Sequence, residues 1–370
     1  MRYSFFKRAS IGLAFMTVAV ACVQCALIAG FESSYTVDGL SDADTASDAG
    51  VRDGDVVSDS ESSTDGSRPP TPTFGDASIL ASGEKSPFGG IAVDQDSVYW
   101  TLAAADAGVR AIRKDGDGGV HDLVTGLTGI PQEMVSIPND TVYWRVTERF
   151  CVSFLCGPGA SGSFGPCESR PRRLRTDGRR TYVLARDEVN YNYPIYVVPK
   201  GCAASMSASK RIDIDAGPAY VDIVPDPSGT RIYAVADGAI DCISVADATR
   251  VHVVDADWLD FAADDTHLYW LTPSELHRCT LGSATACAPC TDNEVVSTTQ
   301  ASSRPSLVLQ GNQLYWVTDD GVWMVDKDAP ANTSATALAT GQAFPTALAV
   351  DATGVYWVNG GDGTVVHRPR

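Results

Sequence analysis

From Ser78 onward the chain alternates short runs of three or four hydrophobes with breaks rich in Gly, Asp and Ser. One arrangement recurs, in which an apolar or β-branched stretch leads into an aromatic pair. Ile91-Ala92-Val93-Asp94 precedes Val98-Tyr99-Trp100, and Leu348-Ala349-Val350-Asp351 precedes Val355-Tyr356-Trp357. Val142-Tyr143-Trp144, Leu268-Tyr269-Trp270 and Leu314-Tyr315-Trp316 repeat the pair. Ile195-Tyr196-Val197 and Ile232-Tyr233-Ala234 fit the same frame in degenerate form. In the Trp frame the copies fall at 100, 144, 197, 234, 270, 316 and 357, so the spacings are 44, 53, 37, 36, 46 and 41. Periods of about 40–45 residues with several short strands each mark propeller blades. The runs are apolar on both sides, as strands need when both faces of their sheet are covered. A half-solvated strand would alternate strictly.

Each copy reads as four strands. The first holds the Ala-Val-Asp stretch and the second the Tyr-Trp pair. The third follows a turn, as in Gly321-Val322-Trp323-Met324-Val325. Asp-Gly pairs at Asp115-Gly116 and Asp177-Gly178 then mark the hairpin into the fourth strand. That strand ends in Leu-Val-Thr-Gly (123–126) or Leu-Ala-Thr-Gly (338–341). Ile79-Leu80-Ala81-Ser82-Gly83 resembles such a fourth strand but precedes the first Tyr-Trp copy, whereas the last copy stops after its third strand, Thr364 to His367. The N-terminal strand is therefore expected to complete the last blade and close the ring. The expected fold class is all-β, a single β-propeller over 76–370. Residues 78–370 divided by seven give 41.9 per blade, which favours seven blades. Six would make one degenerate copy an insertion. The five tryptophans of the pairs, Trp100, Trp144, Trp270, Trp316 and Trp357, are expected in the core between blades rather than in a ligand cage.

The Tyr-Trp pairs, with Tyr99-Trp100-Thr101 as the fullest example, resemble the YWTD and NHL groups of extracellular propellers. Leu102 stands where the YWTD pattern has Asp, and the Gly-His and Trp-Asp marks of WD40 repeats are absent. The resemblance implies an extracellular propeller and no particular ligand.

The N-terminal quarter follows other rules. Arg2, Lys7 and Arg8 precede an uncharged apolar run from Ile11 to Phe31, the layout of a secretory signal. At 21 residues the run is also long enough for an uncleaved anchor. Either way the basic start keeps the N-terminus cytoplasmic and the remainder is exported. Cys22 and Cys25 lie late in the run, and a cysteine closing such a segment resembles the lipobox of bacterial lipoproteins. That likeness implies lipid attachment at Cys25, with Cys22 the alternative. Cleavage after Ala21 without lipid is the competing reading. Neither cysteine is followed by Asp, which in lipoproteins favours the outer membrane.

Residues 26–75 are expected to be an unfolded acidic tether. From Glu32 to Gly75 there are ten acids and two bases, which gives −8 of the whole chain's −18. So few large apolar residues cannot offset the ordering entropy, and like charges extend the segment. Asp53-Gly54-Asp55 lacks the other positions of a calcium loop, so no cofactor is expected. The acidity also excludes a nucleic-acid surface, which needs clustered Lys and Arg. The chain is expected to be a monomer.

Ten cysteines in an exported chain point to disulfides. Setting aside Cys22 and Cys25, the candidates are Cys151, Cys156, Cys167, Cys202, Cys242, Cys279, Cys287 and Cys290. Cys151, Cys242 and Cys279 fall in third strands, and Cys156, Cys167, Cys287 and Cys290 in the loops that follow. A strand cysteine pinning its own loop, Cys279 with Cys287 or Cys290, is one pairing that fits. Zinc on Cys279, Cys287 and Cys290 is the rival, but zinc ribbons use two separated pairs.

No catalytic motif is present: no nucleophile elbow, no Walker loop, and no His-Glu-x-x-His among the five histidines. His121 after the glycine-rich 115–119 reads as a hairpin neighbour, and Asp213 with Asp215 as a solvated pair. Arg170-Pro171-Arg172-Arg173-Leu174-Arg175 reads as an exposed strand edge guarded by charge. The expected function is a non-enzymatic binding or scaffolding module in the cell envelope. Its ligand would be a protein, a polysaccharide or a small molecule at one mouth of the ring. The alternative is an envelope hydrolase or lyase with a metal-assisted site at the central channel, to which Asp94, Asp264 and Asp351 could contribute, although Asp residues at equivalent places in a repeat are more simply turn formers.

Overall fold

The computed structural model describes residues 73–85, 89–103, 107–127, 129–137, 141–146, 152–156, 160–164, 169–187, 190, 192–199, 210–214, 218–283, 285–300 and 302–370. The signal, both candidate lipid cysteines and residues 26–72 of the expected tether lie outside them, whereas Phe74 and Gly75, expected in the tether, join the ring: Phe74 packs against its core and Gly75 N donates to the Pro369 carbonyl at 2.9 Å. The described residues form seven four-stranded antiparallel sheets and no helix.

Six sheets take four consecutive strands. Their first strands are Ile91–Val93, Pro131–Ile137, Ser169–Thr176, Asp222–Pro225, Asp260–Ala263 and Leu307–Gln310. The seventh begins at Pro345–Val350 and is completed from the other end of the chain. Ser78–Ala81 pairs antiparallel with the C-terminal strand Thr364–Pro369, Ser78 opposite His367. Each first strand neighbours the first strand of the next sheet, and the seventh returns to the first, so these strands line a closed ring. Closure removes the free edges that an open sheet presents to other chains.

The Tyr-Trp frame explains how the sheets stack. Side chains alternate along a strand, so Tyr and Trp face opposite sides of their sheet. Trp100 packs with Tyr356, Trp144 with Tyr99, Trp270 with Tyr233, Trp316 with Tyr269 and Trp357 with Tyr315. Each of these interfaces thus buries the Tyr of one sheet against the Trp of the next. All five tryptophans are at most 2% exposed, so the pairs are core.

The third sheet departs from expectation. Its second strand is Arg180–Asp187, so the frame residues are Tyr182 and Val183, not Tyr196 and Val197. Tyr143 of the second sheet packs with Val183, and Tyr182 packs with Ala234 of the fourth. Ile195–Pro199 is the third strand. Asp177-Gly178 therefore turns between first and second strands rather than third and fourth. The difference has a physical cause, because Val183 lacks the indole that marks the frame and both strands carry a Tyr followed by Val.

Candidate functional site at the ring axis

The repeat-equivalent aspartates hold turns. Asp94 accepts the backbone N–H groups of Asp96 and Ser97 on Oδ1 (2.9 and 2.8 Å) and the Tyr99 hydroxyl on Oδ2 (2.7 Å). Asp177 and Asp264 repeat this with Tyr182 and Tyr269. Asp351 accepts the amides of Thr353 and Gly354. Lysines of the following sheet then latch on: Lys327 Nζ to Asp264 (2.6 Å), and Lys114 to Asp351. Asp94, Asp264 and Asp351 are thus committed to turns and, for the last two, to bonds between sheets.

The charges that converge at the axis come from elsewhere. In each first strand one apolar residue pairs with the Trp-frame position: Ile91, Met134, Leu174, Ile223, Phe261, Leu307 and Leu348. The residue just before it shares one level of the ring. That level reads Gly90, Glu133, Arg173, Asp222, Asp260, Ser306 and Ala347. Four consecutive sheets contribute charge there, and the other three contribute small uncharged residues.

Glu133 reaches its place by a bulge. The pairing skips it between Gln132 and Met134, and its φ is 28°. An extra residue re-aims a side chain in this way. Gly90, beside it, has no room for a side chain, because a Cβ would come within 2.7 Å of Met134 N.

The four charges interlock with Arg145 and Arg175. Arg173 lies 3.1 Å from both Glu133 (Nη1 to Oε1) and Asp222 (Nε to Oδ2). Arg175 donates to Asp222 Oδ2 (2.8 Å), to Glu133 Oε1 (3.4 Å) and to the Leu174 carbonyl (3.1 Å). It also lies 3.6 Å from Asp260. Arg145 donates to Glu133 Oε2 and to Gln132 Oε1. Asp260 accepts the amides of Phe261 (3.0 Å) and, from the next sheet, Leu307 (2.7 Å). The basic run is therefore no guarded outer edge. Its strand lines the axis, and Arg173 and Arg175 cross-link four sheets.

Burial and charge set the protonation states. Burial raises the Glu133 carboxyl, but Arg173, Arg175 and Arg145 outweigh it and hold the group below its ordinary range. Burial pushes Asp260 up to about 6, against the pull of Arg175 and with added repulsion from Asp222. Asp222 is raised mainly by burial.

The other sequence candidates lie apart. Asp213 pairs with Arg211 at 2.7 Å, and Asp215 lies outside the described residues. His121 lies on an exposed fourth strand after the 115–119 turn. His277 stacks on Trp270 and His367 on Tyr356, in different sheets. Among the described residues, no group of three or more His, Cys, Asp or Glu is placed to hold a metal.

Four cysteines form two disulfides. Cys279 is joined to Cys290, a strand cysteine pinning its own loop. Cys242, in the third strand of the fourth sheet, is joined to Cys287 in that same loop of the fifth. The three cysteines that zinc would have used are thus all bridged, one of them across sheets. Cys151, Cys167 and Cys202 lie outside the described residues, as does the Cys156 side chain. Cys156 itself is in a third strand, Val152–Cys156, rather than in the loop after it.

The closed ring of stacked four-stranded sheets defines the chain as a β-propeller. No family model matches the sequence, and no curated protein does. Virginiamycin B lyase from Staphylococcus aureus is similar in structure, with 12% identity over 80% of this chain and 100% of that one, at TM-score 0.57. The WD40 β-propeller domain of Doa1 matches at 11% identity over 80% and 97%, TM-score 0.56. PorZ, a bacterial surface component of the type-IX secretion system of Porphyromonas gingivalis, matches at 10% over 79% and 38%, TM-score 0.52. At these identities the likeness shows the fold alone.

Proposed function

We propose that this chain is an exported, envelope-tethered propeller that acts as a non-enzymatic binding or scaffolding module. Cys25, or Cys22 in its place, would carry the lipid, and residues 26–72 would hold the ring away from the outer membrane. The observation that supports binding is the axial arc. Its carboxylates are engaged by guanidinium and amide groups from several sheets, which suits a rigid surface for holding a ligand. Two disulfides suit an oxidising compartment. The alternative, an envelope hydrolase or lyase, draws on Asp260, whose carboxyl near 6 suits acid–base work.

In-cell crosslinking of the full chain tests the reading. Recovery of a specific protein or polysaccharide supports it, and a small molecule that is consumed on incubation overturns it in favour of the enzyme. Metabolic labelling with a fatty acid tests the anchor. Label should disappear in Cys25→Ala, or in Cys22→Ala if that cysteine is the one modified. Absence of label from the unmutated chain refutes lipid attachment.

A further inference from the structure

The two mouths of the ring display different chemistry. Strands alternate in direction along each sheet, so the entries to first strands and the turns from second to third strands open on one mouth. The turns from first to second strands open on the other. Those turns, such as Asp94-Gln95-Asp96, Asp177-Gly178-Arg179 and Asp264-Asp265-Thr266, hold no aromatic or branched aliphatic side chain. The entry mouth is apolar instead. Four large hydrophobic residues are exposed among the described residues, and two of them, Ile130 (45%) and Val221 (36%), stand there. Each directly precedes a first strand, in the second and fourth sheets. Phe344 holds the same place before the seventh, half-buried and with a φ of 60°. That left-handed conformation is costly for a bulky residue, and backbone strain of this kind clusters at binding sites. Neither Phe344 nor Val221 belongs to any of the seven core clusters of the described residues. Trp258 adds a half-buried indole at the entry to the fifth sheet, edge-on to Phe261.

Charge interrupts this rim at one sector. Arg170 and Arg172 stand at the entry to the third sheet, between Ile130 and Val221. The Arg172 guanidinium lies over the Tyr193 ring, 5.5 Å from its centroid, and meets no carboxylate among the described residues. Exposed Asp257 and Asp319 mark the fifth and sixth sheets on the same mouth. The chain joins the ring at the other mouth, where Gly75 N donates to the Pro369 carbonyl and Arg370 N to that of Thr353, in a first-to-second turn. We propose that the entry mouth is a docking face for a protein partner, which seats apolar side chains against Ile130, Val221, Trp258 and Phe344 and directs carboxylates to Arg170 and Arg172. This inference rests on the binding reading above and specifies its surface and the chemistry of its partner. Aromatic residues and Arg are enriched at the centres of protein interfaces. The chain's own acidic segment matches the cations but not the rim, because it holds few large apolar residues between Glu32 and Gly75. Cations at the third sheet and carboxylates at the fifth and sixth orient the partner.

The test is fluorescence anisotropy of labelled synthetic peptides with the full chain. One peptide alternates Glu with Phe and Leu, a second has Lys for Glu, and a third has Ser for Phe and Leu. The first should bind, and the other two about tenfold or more weakly. Phe344→Gly should weaken the first about tenfold without lowering the thermal midpoint, because glycine relieves the left-handed backbone. Arg172→Gln should narrow the preference for Glu over Lys. Equal binding of the three peptides overturns the proposal, as does binding unaffected by Phe344→Gly and by Val221→Ser. A midpoint that falls in Phe344→Gly makes this side chain part of the core and also overturns it. Self-association in sedimentation that Phe344→Gly abolishes would make the occupant a second copy. Binding to phosphatidylglycerol vesicles that the same variant abolishes would make it a membrane. Either result overturns the protein partner. If the first peptide fails to bind while crosslinking still recovers a partner, this inference falls and the binding-module reading stands.

Discussion

Trp316 shows what one residue of the repeat contributes. It is fully buried between the fifth and sixth sheets, and its Nε1 donates to Thr299 Oγ1 at 2.7 Å. Trp316→Ala removes a large side chain from a packed layer and leaves that hydroxyl without its donor. It should cost about 3–5 kcal/mol, measured by urea denaturation. Asp264 contributes through charge. Burial raises its carboxyl, but Lys327 and the amides of Thr266 and His267 outweigh that and hold it at about 2. Its folded pKa is below the unfolded value of roughly 4, so its stabilisation is complete above that value. It is lost as pH falls from about 4 to about 2. Asp264→Asn should flatten the acid limb of a stability–pH profile over that window, and an unchanged slope would refute the assignment. Both residues were legible in the sequence, the Trp by its recurrence and the Asp by its place five residues before a Tyr. Glu133 was not, because its role depends on a bulge that no spacing shows.

At the scale of elements, the loop between Cys279 and Cys290 is held twice. One bridge ties it to its own third strand, over a separation of 11 residues. The other ties it to the fourth sheet, over a separation of 45. In the chain-entropy model these constrain the unfolded state by about 3 and about 4 kcal/mol. The double variant Cys242→Ser/Cys287→Ser should therefore lower the denaturation midpoint more than Cys279→Ser/Cys290→Ser. Peptide mapping of the unreduced protein checks the pairings first. The sequence placed Cys242, Cys279, Cys287 and Cys290 in or just after third strands but left their connectivity open. Only the stacking of the fourth sheet on the fifth brings Cys242 to Cys287. The third sheet makes a similar point. Two successive strands carry Tyr-Val, and only their pairing and packing reveal which lies next to the first strand.

At the scale of the whole molecule, stability depends on closure. The strand Ser78–Ala81 covers the edge of Thr364–Pro369, and residues 289 positions apart, Ser78 and His367, meet there. Gly75 N adds a bond to the Pro369 carbonyl at 2.9 Å. Deleting residues 73–83 from the full chain should expose that edge. The expected outcome is concentration-dependent self-association by light scattering, since an open strand edge is a template for pairing. A monomer of unchanged stability would show that closure does not depend on this strand.

Legible in the chain alone are the all-β class, the repeat, the core tryptophans and the strand that completes the last sheet. These follow from local patterning, because strand period and recurrence are written in consecutive residues. Which charges meet is settled only when the sheets assemble. Glu133, Arg173, Asp222 and Asp260 are far apart in the chain and share no motif. They come together because each stands one residue before the apolar partner of its Trp-frame position, and a closed ring turns that shared register into a shared place.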